Sequence, residues 1–75
     1  MTTWINHKVY LIMKDDIPMN QHWIFPHFQP GGVMCFAKEE QAQKDLEFAK
    51  GKKWPGFNRA RVDTAMLSWE KYEDD

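Results

Sequence analysis

The sequence predicts a small α+β domain, a largely antiparallel sheet of about four strands in β-β-β-α-β order with one helix packed on it. Three observations predict this class. A short β-branched and aromatic run lies near the start, one amphipathic stretch carries helix signals, and a last segment alternates apolar with polar residues.

The first element is His7 to Lys14, His-Lys-Val-Tyr-Leu-Ile-Met-Lys, whose content and length favour a strand partly covered on both faces. Asp15-Asp16-Ile17-Pro18 breaks it, because proline removes an amide donor and restrains the residue before it. His22-Trp23-Ile24-Phe25 reads as a second short strand stopped by Pro26, and Pro26 to Gly32 as a turn-rich loop. Val33-Met34-Cys35-Phe36 is expected to pair back as a hairpin.

The helix is expected over Lys38 to Lys50. Glu39 and Glu40 sit in its first turn and Lys50 near its end, as the helix dipole prefers. Ala42, Leu46 and Ala49 form a stripe that faces the sheet, and Gly51 supplies a stop signal. No Ser, Thr, Asp or Asn stands at the N-cap. Arg61 to Trp69 fits a strand with Ala65, Leu67 and Trp69 on one face. It also fits a helix with Val62, Ala65, Met66, Trp69 and Tyr72 aligned. The strand is favoured, since one helix and a hairpin need a further layer. Residues 73–75 are expected to be a frayed acidic tail.

A chain of 75 residues is expected to form a single domain over 1–75, with a thin core. Four Trp, five Phe and two Tyr let few residues bury much area, so packing is the first use expected for them. A Trp or Phe left outside marks a contact surface instead. One cysteine excludes an intrachain disulfide framework. No stretch has the pattern of a signal peptide or the ~20 apolar residues of a membrane span, so a cytoplasmic location and no membrane partner are expected. A net charge of −1 gives no whole-protein field for nucleic acid.

Chemistry-bearing patterns are sparse. His22, His27 and Cys35 are zinc-binding types, but their spacing matches no compact metal framework, so no metal or cofactor is expected. A lone cysteine inside Val-Met-Cys-Phe reads as a small buried hydrophobe. A Cys-His nucleophile lacks a glycine-framed turn to display it, and neither a P-loop nor a dinucleotide fingerprint is present. The chain is therefore expected not to be an enzyme.

The most distinctive stretch is Lys50 to Arg61, with five cations, no acid, and Trp54 and Phe57 interleaved. Trp54, Phe57, Arg59, Arg61, Lys52 and Lys53 are candidate partner-binding residues, because Trp and Arg are enriched at interface hot spots. The alternative partner is nucleic acid, through phosphate attraction and base stacking, and a third reading has Trp54 and Phe57 closing the open end of the core. The aromatic segment Met19 to Phe28 adds Trp23 and Phe28. An exposed strand edge in so small a sheet leaves homodimerisation open.

The layout Tyr10-Leu11-Ile12-Met13, then Val33 to Ala37 running into Glu39-Glu40-Gln41-Ala42, then a closing element, resembles small accessory proteins carried by phages. Anti-CRISPR and other anti-defence proteins are often of this style, a strand feeding an acidic-started helix and a last strand completing the sheet. The resemblance implies an inhibitor in the host cytoplasm that sterically blocks a larger protein or ribonucleoprotein complex. It assigns no functional residue.

Overall fold

Thirteen residues near the start and thirteen near the end form one long antiparallel ribbon, strand β1 (Thr2–Lys14) against β3 (Ala60–Tyr72). The computed structural model describes residues 2–25 and 32–72. A short edge strand β2 (Ile17–Pro18) pairs with Met13 and Lys14, so the sheet has three strands in the order β2-β1-β3. One helix, α1 (Glu39–Gly51), packs on it, giving the α+β class expected from the sequence with three strands rather than about four.

The residues Asp15 to Pro18 that break β1 also turn it back. Asp15 takes φ 55°, the positive value a two-residue hairpin needs at its first turn position and one that aspartate tolerates. Pro18 fits because β2 is an edge strand, where a missing donor costs no ladder bond.

Residues 22–25 do not form the expected second strand. The Asn20 side-chain oxygen accepts from the amides of His22 (2.9 Å) and Ile24 (3.2 Å), and Asn20 itself is buried. With the backbone bonds of Trp23 to the Asn20 carbonyl (3.0 Å) and of Asn20 to the Ile24 carbonyl (2.9 Å), they close a tight loop with Trp23 at φ 62°, which no strand can accommodate. The expected hairpin partner, Val33 to Phe36, makes only single bridges, Val33 to Asn20 and Phe36 to Tyr10. Its start pairs back on residues 19–21, where the Gln21 amide donates to the Gly32 carbonyl (2.8 Å) and the Met34 amide to the Met19 carbonyl (3.0 Å), and its end reaches the edge of β1 at Tyr10, with no regular strand formed.

The last segment is a strand, longer than the expected Arg61 to Trp69, with Ala65, Leu67 and Trp69 on one face as alternation requires. Its register with β1 runs without a break from Lys14 opposite Ala60 to Thr2 opposite Tyr72. That ladder settles the choice against a helix.

The core lies on one side of the inner half of the ribbon. Ile12, Met19, Phe57, Ala42 and Ala49 are fully enclosed, joined by Phe36, Leu46 and Ala60. The helix contributes Ala42, Leu46 and Ala49, the stripe legible in the sequence. Its N-cap is Lys38, in extended conformation and with no side-chain bond to the first turn. Lys38→Ser is therefore expected to stabilise the fold by about 1 kcal/mol, read as a higher urea midpoint at unchanged slope.

Beyond this core the ribbon continues alone. At about 3.4 Å per residue a 13-residue strand is about 44 Å long, and the described residues extend 52 Å. The radius of gyration of 14.7 Å exceeds the roughly 11 Å of a compact chain of this length. The excess is the arm, Thr2–Lys8 against Met66–Tyr72. Among the described residues no helix is long and apolar enough to cross a membrane.

Candidate functional site

The end of the molecule opposite the arm is built where α1 stops. The helix runs through Gly51, so the expected stop is displaced two residues, to Lys53 at φ 57°. The Trp54 amide donates to the Ala49 carbonyl (3.2 Å), and the Lys53 amide to the Lys50 carbonyl (3.0 Å). This pair of bonds is a Schellman termination, with a lysine in the left-handed position where glycine is usual. The hydrophobic contact that accompanies such a motif is also present, Phe48 against Trp54 with ring centres 5.7 Å apart and near perpendicular.

Helix termination thus aims Trp54 back over the helix, where the Asn20 loop meets it. Trp23 packs edge-to-face on Trp54 at 5.3 Å, and both lie about 6.1 Å from the Phe57 ring. Phe25 closes on Phe57 at 5.0 Å. The two segments read separately in the sequence, one around Trp23 and one around Trp54, form a single aromatic cap. Gly56, at φ 87°, lets the chain turn tightly beneath it. A Cβ there would lie 3.3 Å from both the Phe25 ring and the Lys14 ammonium.

Cations rim this cap. Lys14 lies over the Phe25 ring at 5.2 Å and Lys52 over the Phe48 ring at 5.5 Å. Lys50, Lys53, Trp54, Pro55, Gly56 and Asn58 line an open surface cavity of about 450 Å³. The ion pairs among the described residues are Arg59 with Asp15 (3.5 Å) and Arg61 with Asp63 (3.6 Å), all four side chains being largely exposed. Lys14, Lys50, Lys52 and Lys53 have no such partner among those residues.

The candidates divide accordingly. Trp54 and Trp23 are half-buried, and Lys52, Lys53 and Arg59 are exposed around them. Phe57 is fully buried, so it supports the cap from below and is not itself a contact residue, a correction to the sequence expectation. Arg61 is also displaced from the cap. Ala60 and Val62 face the core, so strand alternation turns Arg61 to the opposite side, where it meets Asp63. Phe28 lies outside the described residues.

Phe48 and Lys14 were not singled out by the sequence, and Lys50 was counted in the cationic stretch without being named as a contact, although one signal for Phe48 was there. It falls off the Ala42, Leu46 and Ala49 stripe, and a phenylalanine on the polar face of a helix is 54% exposed here. Cys35 is exposed, which corrects its reading as a buried hydrophobe. Among the described residues no three His, Cys, Asp or Glu side chains are grouped to hold a metal ion. No protein-family model, no curated protein and no solved structure matches the chain.

Proposed function

We propose that the protein is a non-enzymatic binding protein that covers a surface of a larger protein or ribonucleoprotein complex with its aromatic and cationic cap. The observation that carries this reading is Trp54. It is pinned by three ring contacts yet half-buried, within a rim of lysines that have no acidic partner among the described residues. A rigid aromatic anchor inside a polar rim is the anatomy of an interface hot spot, because little side-chain entropy is lost when it docks. The lysines favour an acidic rim on the partner. Steric blocking of a host defence or regulatory complex in the cytoplasm, the role implied by the resemblance to phage accessory proteins, fits a domain of this size.

The rings also weigh against nucleic acid as the target. Stacking of unpaired bases needs open ring faces. Trp54 meets Trp23, Phe48 and Phe57 at interplanar angles of 71°, 81° and 65°, so its surroundings are crowded by neighbouring rings.

Affinity capture from a lysate of the source or its host, with and without nuclease, tests the reading. The expected eluate holds a stoichiometric protein that survives nuclease and moderate salt. Nucleic acid alone, released by nuclease or with steep salt dependence, would overturn it in favour of the phosphate-binding alternative.

A further inference from the structure

The arm poses a separate problem. A two-stranded ribbon is marginal in water unless a third strand or a helix covers it. Among the described residues, Thr2–Lys8 and Met66–Tyr72 pair only with each other. They nonetheless expose large apolar groups, with Trp4 65%, Met66 60%, Leu67 46%, Trp69 45% and Tyr72 77% accessible. Leu67 and Trp69 share a face with Ile5 and with Val9, which is itself buried, and none of these belongs to the core cluster built around Ile12.

The free edges say what can cover it. Tyr10 exchanges two backbone bonds with Phe36 (2.9 and 2.8 Å), so the even-numbered residues of β1 point their N–H and C=O groups away from β3. Thr64 lies opposite Tyr10, and the even-numbered residues of β3 likewise point outward. The edge of β1 is free only up to Lys8, because Phe36 occupies Tyr10. The edge of β3 makes no backbone bond to another segment among the described residues, although the Thr64 amide donates to the Asp63 carboxylate (2.8 Å) and Asp63 also pairs with Arg61 (3.6 Å).

We propose that β3 pairs antiparallel with β3 of a second copy of this chain about a two-fold axis at Leu67, joining two sheets into one. The parity of the free groups demands that even-numbered residues face even-numbered ones, so the axis passes through a residue and not between two. An axis at Met66 sets Arg61 opposite Lys71 twice, and one at Ala65 sets Asp63 against Leu67. An axis at Ser68 aligns only Thr64 to Tyr72. The axis at Leu67 aligns Val62 to Tyr72 and opposes Asp63 to Lys71 twice, Ala65 to Trp69 twice, and Leu67 to itself. Opposite charges and apolar pairs facing each other across strands are the stabilising combinations, and each half of the interface supplies what the other lacks. The pairing also turns the two-stranded arm into four strands and sets Leu67 and Trp69 beside Leu67 and Ala65 of the second copy.

The test is a charge swap read by sedimentation equilibrium on the full chain. Wild type is expected at twice the 9.0 kDa monomer mass. Lys71→Asp, which opposes two aspartates twice, is expected to weaken the dimer at least tenfold with an unchanged circular dichroism spectrum. Asp63→Lys combined with Lys71→Asp restores the pairs and the dimer. A wild-type monomer at about 1 mM would overturn the proposal and leave the edge to a strand of another protein. A dimer indifferent to Lys71→Asp, or one the double variant does not restore, would overturn the register.

Discussion

Phe57→Ala is expected to remove a large share of the chain's stability. Truncating a fully buried phenylalanine costs about 3–5 kcal/mol, from lost transfer energy and the cavity left behind. A 75-residue domain has in all about 4–11 kcal/mol to lose, at 0.05–0.15 kcal/mol per residue. Phe57 is fully enclosed and touches the rings of Trp23, Phe25 and Trp54, so the cap and the core lose the same support. Urea unfolding followed by near-ultraviolet circular dichroism checks this, with Phe57→Leu as the milder control. A Phe57→Ala protein with wild-type stability would mean that the ring is not the floor of the cap.

Asn20→Ala carries the second large effect, about 2–4 kcal/mol. It leaves the amides of His22 and Ile24 without their acceptor in a part-buried loop, and unsatisfied groups of this kind cost about 1–3 kcal/mol each. Only the backbone bonds of Trp23 to the Asn20 carbonyl (3.0 Å) and of Asn20 to the Ile24 carbonyl (2.9 Å) then hold Trp23 at φ 62°, a conformation that costs a bulky residue about 1–2 kcal/mol. Asn20→Asp keeps the accepting oxygen and is expected to retain most of the stability. Hydrogen exchange gives the sharper readout, since the His22 and Ile24 amides should lose protection first. Unchanged protection in Asn20→Ala would show that the loop is held by something other than this side chain.

These two residues also mark where the sequence was legible and where it was not. The helix face could be read because Ala42, Leu46 and Ala49 repeat at the helical period and nothing in the core contradicts them. The last strand was favoured but not decided by the sequence, because its apolar residues satisfy both periods. The long register with β1, a contact between distant parts of the chain, decided it. His22 to Phe25 has strand-forming residues, but Asn20 captures two of its amides, and a local side-chain bond outweighs propensity. The cap was half legible. Trp23 and Trp54 each stood out, but their meeting depends on Lys53 ending the helix in a conformation that the neighbouring Gly51 would have adopted more cheaply. The exposed arm was hidden by composition, since Trp4, Trp69 and Tyr72 read as core residues until the ribbon outruns the helix.

Lys53 is held at φ 57° beside an open cavity, where glycine would relax the backbone, and the proposed binding role requires that this position trade stability for contact. The most direct measurement is therefore Lys53→Gly, compared with wild type for both unfolding free energy and affinity for the captured partner. The account expects opposite signs, stability higher by about 1 kcal/mol and binding weaker by at least several-fold. Higher stability with unchanged affinity would contradict it, because the strain at Lys53 would then have no counterpart in binding.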